Sequence, residues 1–98
     1  MTDNGKTFKA GQLVIVEKDT FGLLETCFLE KLRYNTTILY QDNVFIHKHS
    51  IGMVVGFITN WVVPAAVVRF SDVKNGQNIV ITFNKINSLE DFIKMLDS

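Results

Sequence analysis

The sequence predicts an α+β domain built on a small, strongly bent antiparallel sheet or barrel of about five to six strands. Three observations lead to this prediction. Short β-branched apolar runs recur along the chain, and polar or glycine-containing turns separate them. A clear amphipathic stripe at helical spacing lies near the end of the sequence. The length of 98 residues suits one hydrophobic core, so we expect a single domain over residues 1–98.

The composition fits a folded domain and excludes several classes of protein. Hydrophobic residues make up 47% of the chain, which excludes a disordered segment. Ten basic residues balance ten acidic ones, and no block of like charge occurs. Nucleic-acid binders typically carry a basic patch, so this balance disfavours nucleic acid as a partner. The single cysteine, Cys27, excludes a disulfide scaffold and favours a reducing, cytoplasmic location.

No segment predicts export or a membrane anchor. Residues 1–7 are polar, and we expect them to form a tail without the apolar stretch of a secretory signal. The longest apolar run, residues 61–68, is far shorter than the roughly 20 residues that span a bilayer. We therefore expect no membrane partner.

The first part of the chain predicts a strand and then a helix. Residues 13–16 form a short β-branched run that charged residues terminate, which is typical of a strand. Apolar residues between Leu24 and Leu32 recur at helical spacing, so we expect an inserted helix near 20–33. Gly22 falls in the first turn of this helix, which leaves a strand open as the alternative.

The middle of the chain predicts further strands. Residues 38–40 and 44–46 flank a polar turn and predict a hairpin. Residues 51–58 predict a strand that carries two glycines, which usually mark a bulge, a bend or a close backbone approach. Residues 66–70 and 79–83 predict two more strands, and a turn region that contains glycine separates them.

The end of the sequence predicts a C-terminal helix near 88–97. Ser88 is suited to cap this helix, and Asp91 stands three residues later, as in a capping box. The residues of its apolar face follow the spacing i, i+3, i+4, i+7 and are Leu89, Phe92, Ile93 and Leu96. A helix this short is marginal alone in water, so we expect it to dock on the sheet.

Several of these segments share features with one known family. Residues 8–16 look like an opening strand in which Gly11 precedes an alternating valine-rich run. Residues 51–57 look like the second core strand, with a Gly-x-Val start, and residues 67–72 look like the third, which ends in an acidic turn. Residues 79–83 would be the fourth strand. Together they resemble the SH3-like small β-barrels of the KOW and Tudor kind.

The resemblance implies a binding module rather than an enzyme, because barrels of this kind mostly bind other molecules. Residues 17–50 depart from the family, since they are far longer than its usual first loop. No aromatic cage and no KOW pattern of glycine and basic residues can be matched in this sequence. Neither methyl-lysine nor proline-peptide recognition therefore carries over from the family, and the missing KOW pattern disfavours RNA binding of the ribosomal or polymerase type.

No group of residues has the spacing of a catalytic or metal site. His47 and His49 would share a face of a strand, but a zinc site needs further ligands. Cys27 and Asp42 are the residues that could serve as further ligands, and nothing in the sequence places them near the two histidines. Cys27 has no glycine elbow or helix start beside it, which favours a small core residue over a nucleophile. We expect no enzymatic activity, no metal and no cofactor.

Two aromatic residues beside arginines favour an alternative function. Tyr34 follows Arg33, and Phe70 follows Arg69. Aromatic rings with basic neighbours can stack on nucleic-acid bases. The zero net charge counts against this interpretation, and Phe70 also fits a core position. The alternative function is a nucleic-acid-associated module of the KOW or Tudor kind.

The leading candidate for a binding surface follows the strand over 51–58. Trp61, Val62 and Val63 are apolar where a connection should be polar, and Pro64 cannot donate to a sheet ladder. An apolar sheet edge favours pairing with another chain, and tryptophan is enriched in interface hot spots. Alternatively, Trp61 fills one end of the small core.

These observations predict a non-enzymatic interaction module that binds a protein partner or self-associates. Its size and character suit a small bacterial accessory factor or a virus-encoded factor. The predicted partner-binding residues are Trp61, Val62, Val63, Tyr34 and Arg33.

Overall fold

The structure, a computed structural model, describes residues 8–34, 42–59 and 64–97. These residues form seven strands and two helices. The strands are β1 (Leu13–Val16), β2 (Thr20–Leu24), β3 (Asn43–Ile46), β4 (Ile51–Ile58), β5 (Ala65–Arg69), β6 (Asn78–Thr82) and β7 (Ile86–Ser88). The helices are α1 (Glu25–Tyr34) and α2 (Leu89–Asp97).

The strands pair antiparallel in one sheet with the order β3-β2-β6-β5-β4-β1-β7. The α+β class is therefore confirmed. The prediction of about five to six strands was too low, because seven are present among the described residues. Of the two predicted forms, a bent sheet or a barrel, the structure has the open sheet: it is not closed, and β3 and β7 lie at its two ends.

One face of the sheet, here called the inner face, carries the main hydrophobic core. Val44 and Ile46 of β3 join the same buried cluster as Val14 and Val16 of β1. These strands lie near opposite ends of the strand order, so the sheet curls until both ends share one core. The predicted strong bend is thus present, although the sheet stays open.

Two glycines allow strands to pack tightly on the inner face. A Cβ atom at Gly52 would lie 2.7 Å from Cγ1 of Val68, and one at Gly22 would lie 2.6 Å from Cγ2 of Ile79. Both distances are much shorter than carbon–carbon contacts of about 3.5–4.0 Å. Glycine is therefore required at these positions by close packing, as the sequence suggested for the strand over 51–58.

The opposite face of the sheet, here called the outer face, carries the two helices. Phe28 of α1 is buried in a second cluster with Leu23, Val67 and Val80. At the other end of the sheet, α2 contacts β1 and β7. Ile15 alternates away from the inner-face valines of β1 and is still buried, which places α2 over this part of the outer face.

The predicted helix near 20–33 needs a correction. Residues 20–24 form β2, which pairs with both β3 and β6, and the helix begins only at Glu25. The helical spacing holds from Leu24 onward, whereas Gly22 belongs to a strand because its backbone lies against β6. The predicted hairpin is tested in part: residues 43–46 form β3, and residues 38–41 lie outside the described residues.

The start of α2 agrees with its predicted cap. The Ser88 hydroxyl donates to Oδ2 of Asp91 at 2.7 Å, and the Asp91 amide donates to Oγ of Ser88 at 3.2 Å. These bonds satisfy an amide at the helix start that has no partner within the helix. Phe92 is half-buried and Ile93 is exposed, so α2 docks with only part of its apolar helix face.

Among the described residues, no helix is both long and apolar enough to span a membrane.

Candidate interaction surface

Among the described residues, a row of exposed apolar side chains lies on the outer face between the two helices. We call it the apolar stripe, and it consists of Leu13, Ile51, Met53 and Val55. Their side chains are between 39% and 51% exposed. Leu13 pairs directly with Met53 across β1 and β4, and Ile51 pairs with the buried Ile15. The stripe is thus a continuous surface on two neighbouring strands.

The apolar stripe exists because β4 is apolar on both of its sides. Val54 points to the inner face and is 1% exposed, whereas its neighbour Val55 is 39% exposed. A register shift between Val54 and Gly56 marks a β-bulge at this point. Strands that are apolar on both sides are typical of sheets covered on both faces. On this sheet the described helices α1 and α2 leave these outer side chains of β4 exposed.

Arg69 borders the apolar stripe and is the only charged residue in the seven described strands. It stands at the end of β5, directly opposite Met53 of β4. Its Nε donates to Oδ1 of Asn78 at 3.2 Å, and Nδ2 of Asn78 donates to Oε1 of Glu25 at 3.0 Å. These two hydrogen bonds connect the Nε end of the guanidinium to β6 and to the start of α1.

A shallow cavity of about 360 Å³ opens beside this arginine. The start of α1, Arg69, Asn78 and the turn before β6 line it. In that turn Lys74, Asn75 and Gly76 all have positive φ, at 48°, 57° and 77°. Left-handed backbone is costly for residues other than glycine and is enriched at functional sites. Gly76 is the residue of this turn with positive φ that lines the cavity, and the left-handed residues Lys74 and Asn75 directly precede it.

The residues predicted to bind a partner are not brought together by the described part of the structure. Arg33 and Tyr34 lie at the end of α1, where Tyr34 is 64% exposed, and they line a groove with Leu29 and Glu30. This groove is separate from the apolar stripe. The predicted residues Trp61, Val62 and Val63 lie outside the described residues.

The two arginine–aromatic pairs behave differently. Phe70 is fully buried in the inner core, so its ring cannot stack on a base. Arg69 points to the other face and takes part in the hydrogen bonds to Asn78. Tyr34 remains accessible beside Arg33. The core interpretation of Phe70 is confirmed, and one of the two sequence features that favoured nucleic acid is lost.

The two histidines have different aromatic neighbours. His47 lies edge-on to Phe45 at a centroid distance of 4.7 Å, and Phe45 contacts Phe21 at 5.3 Å. His49 instead lies 6.0 Å from the ring of Phe92 on α2. Within residues 8–34, 42–59 and 64–97, no three histidine, cysteine or acidic side chains are grouped to hold a metal. Their placement thus follows aromatic packing.

Cys27 packs beside the second cluster and is half-buried. This position agrees with a small packing residue under α1.

The comparisons with known proteins give no further assignment. No family model, no curated protein and no solved structure matches this chain. The likeness to SH3-like barrels stays a prediction from the sequence.

Proposed function

We propose that the chain is a non-enzymatic interaction module that binds a protein partner or a second copy of itself through the apolar stripe. One observation supports this proposal above the others: four apolar side chains lie side by side on two neighbouring strands of the sheet, and each is more than a third exposed. Single exposed apolar residues are normal on protein surfaces, whereas contiguous apolar patches mark interaction sites.

The energetics favour a covered stripe over a solvated one. Removing apolar surface from water contributes about 25 cal/mol per Å². The surrounding sheet already fixes the positions of these side chains, so little further ordering is needed when a partner binds. A partner that covers the apolar stripe would also bury the outer side of β4, which is apolar like its inner side.

The segment Trp61–Val63 is a second candidate contact for the same function. Residues 59 and 60 separate it from the end of β4, so it is close in sequence to the strand that carries most of the apolar stripe. Arg33 and Tyr34 would then be a separate contact at the end of α1. A cytoplasmic accessory role, as the composition favours, is part of the same proposal.

The decisive experiment compares two exposed apolar positions. Met53→Ser changes the apolar stripe, and Leu32→Ser changes a residue of similar exposure on α1 that does not line the groove beside Arg33. Sedimentation and light scattering of the pure chain report self-association, and the same variants as bait report retention of partners.

If the proposal holds, Met53→Ser weakens the complex and Leu32→Ser does not. Equal binding by both variants and the unchanged chain would contradict it. Salt-sensitive retention of nucleic acid would instead support the alternative module of the KOW or Tudor kind.

A further inference from the structure

We propose that the partner of the apolar stripe is an acidic amphipathic protein segment, whose carboxylate pairs with Arg69 while its apolar side chains cover the stripe. This inference rests on the proposed function and specifies the chemistry of the partner. Three observations carry it: the isolation of the charge, its fixed position and the width of the uncovered surface.

The charge of Arg69 is isolated within the sheet. Every other residue of the seven described strands is uncharged, and Arg69 stands across from Met53 at the border of the apolar stripe. A partner that covers Met53 must therefore approach this guanidinium. An uncompensated charge at the edge of an apolar contact is costly, so a fitting partner supplies the opposite charge.

The guanidinium is held in place without being neutralised. The hydrogen bond from Nε of Arg69 to Asn78 uses one of its five N–H groups. Within the described residues Arg69 forms no salt bridge, and its two Nη groups have no hydrogen-bond partner. Glu25 accepts from Asn78 and so supports the arginine through an intermediate amide.

A carboxylate is the group that fits such an arginine. The planar fork of the guanidinium binds a carboxylate through two parallel hydrogen bonds, and its fixed root lowers the entropy lost on pairing. A nucleic-acid backbone would present many phosphates, and these require several cations. The apolar stripe offers only this one charged residue within the strands.

The width of the surface fits a single segment. On the outer face α1 covers the part near β2 and β6, and α2 covers β1 and β7. The stripe between them involves β1 and β4, which are two strands at a spacing of about 4.8 Å. The exposed part of β4 and the start of β1, where Leu13 is exposed, together form a strip about 10 Å wide, and one amphipathic α-helix of about 10 Å diameter can lie along such a strip.

The test uses two synthetic amphipathic helical peptides that share a leucine face. One carries glutamate at the border positions of that face, and the other carries glutamine. Fluorescence anisotropy measures the affinity of each for the full chain, for Arg69→Gln and for the control Lys18→Gln, which changes an exposed lysine in the turn between β1 and β2. Thermal melting of each variant verifies that the fold is retained.

We expect the glutamate peptide to bind the unchanged chain on the order of three- to tenfold more tightly than the glutamine peptide. This preference should fall as salt is added. Arg69→Gln should remove the preference, whereas Lys18→Gln should keep it. Met53→Ser should weaken both peptides.

Other outcomes overturn the inference. Equal affinity for both peptides, with both weakened by Met53→Ser, would leave the stripe as a binding surface and remove the acidic partner. Failure of both peptides to bind would also reject an acidic segment, while the sedimentation and retention experiments would still decide the proposed function. A concentration-dependent dimer lost in Met53→Ser would identify a second copy as the occupant.

Discussion

The inner and outer faces of the sheet are built from similar residues, but their side chains differ in burial. On the inner face the curled sheet closes over its own side chains, and Val54, Val68 and Phe70 are almost fully buried. On the outer face two separate helices provide the cover, and the strands between them keep Ile51 and Met53 half-exposed. Residue type alone therefore does not determine burial in this molecule.

Adjacent residues of β4 show the difference most directly. Val54 and Val55 are chemically identical, yet their side chains are 1% and 39% exposed. The inner side chain packs against other strands, whereas the outer one lies where neither helix reaches. The inner face thus serves stability, and the outer face leaves apolar surface for binding.

The largest expected effect tests the inner face. Phe70→Ala removes a fully buried ring from the main cluster. We expect a loss of about 3–5 kcal/mol in the free energy of unfolding, because the cavity left behind cannot fully collapse. Urea denaturation followed by circular dichroism measures this change. A loss below about 1 kcal/mol would mean that the inner core is loosely packed.

A glycine pair sharpens the comparison. Gly52→Ala would place a methyl group 2.8 Å from Cδ1 of Phe70, so we expect about 1–3 kcal/mol of destabilisation from overpacking. The control is Gly56→Ala on the same strand, where nothing lies within 4 Å of a new Cβ. Its effect on thermal stability should be close to zero. Equal effects of both substitutions would contradict the close packing of β4 on β5.

The helix α2 covers part of the outer face, and its attachment to the sheet can be tested at its N-terminal cap. Ser88→Ala removes both hydrogen bonds with Asp91, and we expect a cost of about 1 kcal/mol. Hydrogen exchange of amides in α2 should accelerate more than exchange in β4 and β5. Ser88→Thr should restore most of the protection, since threonine also caps helices. Unchanged exchange in α2 would show that the cap does not hold this helix.

The smallest effect on stability is expected in the apolar stripe. Met53→Ser should change the free energy of unfolding by less than about 1 kcal/mol, because the side chain is already 41% exposed. The same substitution should weaken binding of the partner, as measured by sedimentation or retention. A stability loss as large as that of Phe70→Ala would place Met53 in the core and contradict the binding role.

Local patterns in the sequence were sufficient for several elements. The β-branched run of β1 and the Ser88 cap of α2 depend on neighbouring residues, and both are found as predicted. β2 was missed because helical spacing from Leu24 onward hid the strand before it. The glycine at position 22 is explained by its contact with β6, which lies far away in the sequence.

The candidate surface was harder to predict for a related reason. Ile51, Met53 and Val55 alternate with Gly52 and Val54, and all of them except Gly52 are apolar with large side chains. An apolar strand of this kind does not reveal which side is covered. Arg69 did offer a signal, since it is a lone charge at the end of the apolar run of β5. That signal became informative only with the register that places Arg69 opposite Met53.

The strand order also has a kinetic consequence. β1 pairs with β4 and β7, so Val14 lies beside Ser88, and β2 pairs with β6. Most of the sheet therefore forms by closing long loops, which slows folding into the millisecond-to-second range typical of non-local topologies. Until residues 86–88 arrive, β1 has an open backbone edge beside valine-rich sequence. During that interval the chain is most exposed to aggregation, and a chaperone would have its best opportunity to act.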